Sequence, residues 1–302
     1  MNLRWIILAI ITVLVISGCG PAQDRTTVRQ PVTVTDATGA TVTIPEQPSR
    51  IVPVGVSTED IVLSLIAPER VVALGQFPNN VPDRSKGITQ HIRFTTESML
   101  GVQPDLVIAP DWVPLEQVEE MRNINIPVYV YTTPKTVEEA KETISHIANL
   151  LNASDAALQE SMATDLARVE SIVKAHNQGP SPIVVLYTRF GINGGTGSTF
   201  DDMSHYMKVI NGAATIGLGP IDNGTREDLI RINPDVIIIP SDDYSNEQDA
   251  EVNINELLSD PALQGIKAIQ NHRIYTVKAS RLMSYSQFMT KGILDMTEQI
   301  YP

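Results

Sequence analysis

Residues 95–110, TTESMLGVQPDLVIAP, align without a gap to residues 225–240, TREDLIRINPDVIIIP, 130 positions further along the chain. Six of the sixteen positions are identical: Thr95/Thr225, Glu97/Glu227, Pro104/Pro234, Asp105/Asp235, Ile108/Ile238 and Pro110/Pro240. Leu100/Ile230, Val102/Ile232, Leu106/Val236 and Val107/Ile237 keep the apolar pattern between them. Each copy reads as a threonine-capped helix, a Pro-Asp turn and a buried parallel strand that ends at proline. Helix–turn–strand units can converge on such a pattern. Six identities in one register point instead to duplication of a whole lobe.

The surroundings of both copies fit that reading. In the first half, apolar runs at 51–54, 71–74, 106–109 and 128–131 predict short strands, with helical periodicity over 57–66 and 113–123 between them. Residues 183–188, 236–239 and 274–277 repeat the theme in the second half, and a last helix is expected over 286–299. The stretches 136–151 and 153–176 connect the halves as helices, the second with an apolar stripe at Leu158, Met162, Leu166, Val169 and Val173. Before all of this, 32–36 and 41–44 alternate apolar and polar residues around Gly39, a hairpin signal. The expected fold is α/β: two similar lobes, each a mainly parallel sheet covered by helices, joined by one long helix.

The chain of 302 residues opens with one positive charge at Arg4 and an apolar run over 5–17 broken by Thr12. As a helix this run rises about 20 Å, short of the roughly 30 Å hydrocarbon core, so it reads as a cleaved leader. Ile16-Ser17-Gly18-Cys19 resembles the bacterial lipobox. Cys19 is the chain's single cysteine, which leaves it no internal disulfide and makes it the expected lipid-attachment residue. Residues 20–30 carry no hydrophobic period and read as a tether. Net charge is −13, the pI is near 4.8, and no cluster of basic residues occurs, which argues against nucleic-acid binding.

The ordered set VTDATGATVTIPEQPSRIV (34–52), STEDIVLSLI (57–66), the two E…PD segments, NHRIYTV (271–277) and the terminal IYP resembles the substrate-binding lipoproteins of bacterial ABC importers for iron–siderophore complexes, haem and vitamin B12. The resemblance covers essentially all of residues 32–302. It implies a signal segment over 1–18, a lipidated tether over 19–31, an N-terminal lobe over 32–152, a linking helix over 153–177 and a C-terminal lobe over 178–302. It also implies a monomer held at the outer side of a cell membrane, with a metal chelate in the inter-lobe cleft. The expected partners are a permease dimer and its ATPase subunits, and no covalent cofactor beyond the lipid is implied. Glu97 and Glu227 match the family's docking glutamates, which pair with permease arginines. A glutamate in a helix's first turn also complements the macrodipole without any partner.

Open α/β sheets bind ligands beyond strand C-termini, which directs attention to 75–93 and 111–113 in the first lobe. The equivalent places in the second are 189–193, 242–244 and 281–285. Phe77, Trp112, Phe190, Tyr244 and Tyr285 could stack on a macrocycle or catecholate, and Arg189 and Arg281 could pair with anionic groups. Each has a structural alternative as core, loop surface or ion-pair partner. His91 could ligate a haem iron or corrinoid cobalt, or be a solvated loop histidine. Residues 194–198, GGTGS, lack the lysine of a phosphate loop, so Ser198 reads as a helix cap.

An enzyme is disfavoured because no nucleophile elbow, HExxH or paired metal-ligand spacing occurs. The histidines at 91, 146, 176, 205 and 272 are dispersed, with His146 and His176 expected away from any cleft. A zinc or manganese binder would need several converging histidine and carboxylate ligands, and a non-transport sensor or adhesin of the same fold stays open. Ferric siderophore or haem stands first as ligand. Phe190-Gly191-Ile192-Asn193 resembles the B12-binding protein at the same strand end, which keeps a corrinoid as the alternative.

Overall fold

The computed structural model describes residues 31–176, 179–241 and 248–302. Strands β1 (Val32–Thr35) and β2 (Thr41–Ile44) form an antiparallel hairpin with Val32 opposite Ile44. Its turn is fastened to the N-lobe by Asp36, which is buried, forms an ion pair with Arg122 and accepts from Val130 N at 3.0 Å. Burial alone would raise this carboxyl's pKa. The hydrogen bonds from Thr38 and Val130 and the charge of Arg122 outweigh it and hold the pKa below the ordinary value.

In the N-lobe, β3 (Ile51–Pro53), α1 (Val56–Leu65), α2 (Pro82–Ser85), α3 (Thr96–Val102), β4 (Leu106–Pro110), α4 (Leu115–Asn123), β5 (Val128–Tyr131) and α5 (Val137–Leu151) follow in turn. All three strands are parallel, in the order β3-β4-β5. Helix α6 (Ala156–His176) leads to the C-lobe. There the chain forms β6 (Ile183–Thr188), β7 (Gly191–Asn193), α7 (Thr199–Met207), β8 (Ile210–Asn211), α8 (Gly212–Thr215), α9 (Arg226–Ile232), β9 (Val236–Ser241) and α10 (Gln248–Ser259). It closes with α11 (Lys267–Gln270), β10 (Ile274–Lys278), α12 (Ala279–Leu282) and α13 (Phe288–Ile300). The C-lobe sheet runs β10-β9-β6-β7, with β8 also on β6.

The duplicated sequence forms the middle of each lobe. β4 lies between β3 and β5, as β9 lies between β6 and β10. Both preceding helices carry a threonine cap, Thr95 accepting from Ser98 N and Thr225 from Asp228 N. Both end in a left-handed residue, Gln103 at φ 47° and Asn233 at φ 48°, that reverses the chain into the strand. The Pro-Asp turn has a specific task in each. Asp105 accepts from Arg50 N at 2.9 Å, just before β3, and Asp235 accepts from Ile183 N at 2.9 Å, at the start of β6. Each carboxylate thus fixes the central strand against its neighbour.

Two sequence expectations fail. Residues 71–74 form no strand; Val71 and Leu74 make single bridges, to Ile51 and His91. The three-residue β3 offers too little edge for a longer ladder. Residues 189–193 are a hairpin rather than an open loop after a strand. Arg189-Phe190 turns the chain, β7 returns antiparallel on β6, and Ile192 is buried. Gly191 makes this close: at φ 98° a Cβ would stand 2.2 Å from the Gly224 carbonyl oxygen.

One apolar cluster is continuous through both lobes, from Ile61, Leu63 and Ile144 through Met162 and Val169 of α6 to Met289 and Ile293 of α13. Asp165, buried on α6, accepts from Lys291 Nζ at 2.7 Å and Thr290 Oγ1 at 3.0 Å. The far faces of the sheets have their own cores, around Val52, Val107 and Met121 in one lobe and Val185, Ile237 and Leu257 in the other. Replacing Asp36 by Ala strands the Arg122 charge and unfastens the hairpin. Breaking such a pair should cost about 3 kcal/mol in urea unfolding, with a proportionate fall in midpoint.

Candidate functional site

The C-terminal ends of β4 and β5 and the first turn of α1 open onto a cavity of about 480 Å³ between the lobes. Its N-lobe wall is Val54, Gly55, Val56, Ser57, Thr58, Phe77, Pro110, Trp112 and Tyr131, and the C-lobe adds Met283 and Tyr285. Three of the sequence-selected aromatics, Phe77, Trp112 and Tyr285, therefore meet in one cavity. Trp112 is 59% exposed and Phe77 56%, large apolar faces for a loop to leave open to water. Gly55, at φ 86°, is what seats the indole: a Cβ there would lie 3.1 Å from Trp112 Cζ2. Below, Tyr131 is buried with its hydroxyl 2.8 Å from Thr58 Oγ1, which itself donates to the Val54 carbonyl at 2.7 Å. Tyr131 is therefore the donor of that pair. Burial, with the Asp111 charge nearby, raises the pKa of both Tyr131 and Tyr285, so both phenols stay neutral.

Beneath the cavity one polar stripe of α1 seals the lobes together. Ser57 Oγ accepts from Tyr285 N at 2.9 Å. Gln287 Nε2 donates to the Asp60 carbonyl and to Ser64 Oγ, each at 3.0 Å. The positions 57, 60 and 64 share one face of the helix. Beside them, Glu59 and Asp60 are both buried carboxylates. Glu59 accepts from Gly75 N at 2.7 Å and Asn79 Nδ2 at 3.3 Å, and Asp60 from Asn80 N at 2.7 Å and Asn80 Nδ2 at 2.8 Å. Desolvation raises the pKa of both, that of Asp60 to about 7, and outweighs the hydrogen bonds that each accepts.

The other selected residues lie elsewhere. His91 is exposed and absent from the cavity wall; its Nδ1 donates to the Gly75 carbonyl at 2.8 Å. Arg189 stacks its guanidinium 4.7 Å above the Phe190 ring at the tip of the β6–β7 hairpin, outside the cavity lining. Arg281 is paired with Asp295 of α13 at 2.8 Å, directed away from the cavity wall into the C-lobe. Tyr244 and Cys19 lie outside the described residues. Glu97 and Glu227 are exposed in the first turns of α3 and α9, and among the described residues neither pairs with a cation. One turn on, Leu100 is 55% and Ile230 45% exposed, an apolar neighbour at the same place on each lobe.

His146, expected away from any cleft, lines a second cavity of about 480 Å³ beside β5, with Tyr129, Lys135, Glu139 and Glu142. Ser198 caps α7, accepting from Asp201 N, and Gly194 and Gly195 lie against the protein itself: a Cβ on Gly195 would stand 2.1 Å from the Leu218 carbonyl oxygen. Among the described residues no group of three histidine, cysteine or acidic side chains could hold a metal, and no helix is long and apolar enough to cross a membrane. Sequence reading missed Gly55, Thr58, Tyr131 and Met283, and the Glu59–Asp60 pair. The signal for the pair was two adjacent acids directly before the apolar run Ile61-Val62-Leu63.

Residues 51–280 match the family described as periplasmic binding protein. The chain is 23% identical over 316 residues to an uncharacterized ABC transporter substrate-binding lipoprotein of Bacillus subtilis strain 168, YvrC, covering 97% of this chain and 95% of that one. It is 27% identical over 124 residues to a cobalamin-binding protein of Halobacterium salinarum, covering 40% of this chain and 34% of that one. The heme binding protein HmuT has the same fold at a TM-score of 0.74 and 18% identity, with 93% of this chain and 94% of that one covered.

Two measurements test the site. A folded-state pKa near 7 for Asp60 lies above its unfolded value, so its contribution to stability is fully present below about pH 4 and lost as pH rises through 7. The expected fall from this group is on the order of 4 kcal/mol across that window, and Asp60→Asn should flatten the urea-midpoint profile there. Gly55→Ala should displace the indole, shifting Trp112 emission with a stability loss of about 1 kcal/mol.

Proposed function

The chain belongs to the periplasmic binding protein family, the solute-binding components of ABC importers, and on that premise we propose that it captures a metal chelate in the inter-lobe cavity and delivers it to a permease dimer. The observation that carries the reading is the aromatic cavity at the strand ends. Trp112, Phe77 and Tyr285 offer flat faces, and the Ser57 and Thr58 hydroxyls lie at its floor. Ferric siderophore or haem stands first, with Phe190, Arg189, Arg281 and Tyr244 as further candidate contacts and His91 as a candidate axial ligand. Because His91 is hydrogen-bonded to Gly75 outside the cavity wall, loop movement would have to bring it to a metal.

A corrinoid is the second reading. It is supported by the similarity to the Halobacterium salinarum cobalamin-binding protein and by the Phe190-Gly191-Ile192-Asn193 string. Stacking on aromatic walls suits a corrinoid that brings its own axial ligands.

Cys19 is proposed as the lipid attachment that keeps the protein at the membrane's outer face, beside its permease. The lipoprotein description of the Bacillus subtilis relative supports this. Glu97 and Glu227, each followed by an exposed aliphatic, are proposed as paired docking points for a two-fold partner, since equivalent contacts on two lobes define orientation as well as attraction.

The chain's two tryptophans are Trp5 and Trp112, so after leader removal Trp112 is the sole reporter. A screen of ferric hydroxamates, catecholates, citrate, haem and cobalamins should find one that quenches it. That ligand at 100 times its Kd should stabilise the protein by about 2.7 kcal/mol. Failure of every class overturns the chelate reading. Glu97→Arg with Glu227→Arg should abolish uptake and leave ligand affinity within about twofold, and normal uptake by this pair would remove the docking assignment.

A further inference from the structure

The Phe77 wall of the cavity is held at both ends by the buried acids of α1. Glu59 takes Gly75 N and Asn79 Nδ2, and Asp60 takes Asn80 N. The side chain of Asn80, three residues beyond Phe77, crosses to the other lobe. Nδ2 donates to Asp60 Oδ2 at 2.8 Å and to the Ser280 carbonyl at 3.1 Å, and Oδ1 accepts from Ser280 Oγ at 2.8 Å. Both amide donors and the carbonyl are engaged, with one bond to the N-lobe and two to the C-lobe. The amide's orientation is fixed by chemistry, because a carboxylate oxygen and a backbone carbonyl can only accept.

We propose that Asn80 is a positioning residue that pins the Phe77 wall of the cavity to the C-lobe and thereby sets the width of the opening a ligand must fit. The remaining inter-lobe hydrogen bonds from this region leave α1 itself, through Ser57, the Asp60 carbonyl and Ser64. They hold the floor of the cavity. Asn80 holds its side, from the segment that Glu59 and Asp60 tie to the N-lobe. The Asp60 carboxylate supports the pin from behind, buried and oriented by the two Asn80 donors. On Ser280, itself buried at the start of α12, the pin reaches the short stretch that leads to Met283 and Tyr285 of the opposite wall. The Asn80 amide therefore adds a link between the Phe77 side of the cavity and the C-lobe stretch that leads to the opposite wall. Its bearing on ligand capture rests on the cavity being the binding site; the coupling itself does not.

The test needs no ligand, so its failure is distinct from failure of the chelate reading. In the full chain carrying Trp5→Phe, Asn80→Ala removes the whole pin, and Ser280→Ala removes its C-lobe hydroxyl and leaves the Asn80 bonds to Asp60 and to the Ser280 carbonyl. The α1 contacts remain in both, so both should fold with cooperative urea transitions. Amide hydrogen exchange should rise about tenfold in residues 75–81 and 279–285 in each variant, and acrylamide quenching of Trp112 should increase in both. Exchange in Asn80→Ala that rises in 75–81 but stays at the parental rate in 279–285 would mean that the amide serves Asp60 alone, and would overturn the pin. Unchanged exchange and quenching in both variants would overturn it equally.

Discussion

Asp105 and Asp235 each hold the first amide of a neighbouring strand, and that contact governs the placement of everything functional. A parallel sheet has no hairpin to set its register, so something must fix where one strand begins against the next. In each lobe the Pro-Asp turn supplies this, at the N-terminal end of the central strand. With the starts aligned, the strand ends are aligned too, and β4 and β5 deliver Pro110, Trp112 and Tyr131 to one rim. The duplicated helix that precedes each strand carries Glu97 or Glu227 exposed in its first turn. Structural register and exposed carboxylate thus belong to the same sixteen-residue unit.

The lobes are joined more firmly than a hinge would require. A single apolar cluster passes from one lobe through α6 to α13, and Asp165 is held there by both Thr290 and Lys291. Beneath the cavity, the α1 stripe of Ser57, Asp60 and Ser64 meets residues 280–287 through directed hydrogen bonds rather than apolar contact. Such a seam is specific, because each group would be left unsatisfied if the lobes rotated apart. The cost falls on Glu59 and Asp60, buried carboxylates held chiefly by hydrogen bonds from residues 75–80. Their purpose in the fold is to tie down the segment that carries Phe77. A wall so restrained presents a preformed surface, which lessens the ordering a ligand must impose.

Periodicity and the repeat made the two α/β lobes, the capped helices and the order of most strands legible without coordinates, because those features rest on local pattern. The 71–74 segment misled for the same reason: its apolar run is that of a strand, but strand formation needs a partner edge, and β3 is too short to give one. The Arg189-Phe190 turn misled because a hairpin is decided by whether the returning chain can pack, here by the room that Gly191 leaves for Gly224.

At the site, the aromatics Phe77, Trp112 and Tyr285 could be named from sequence, since large apolar side chains after strands have few other uses. Which of the candidates share a cavity could not. Arg281 and Tyr285 are four residues apart, yet one pairs with Asp295 and the other faces Trp112's cavity, a difference set by how α12 packs on α13. Glu59, Asp60 and Asn80 were not singled out because their importance lies in contacts 16, 20 and 200 residues away. The sequence by itself determined the duplication, the α/β class and the equivalence of Glu97 with Glu227, all carried by local pattern and register. Only the tertiary structure decided which side chains line the cleft and what fixes its walls, because those depend on groups brought together across two lobes.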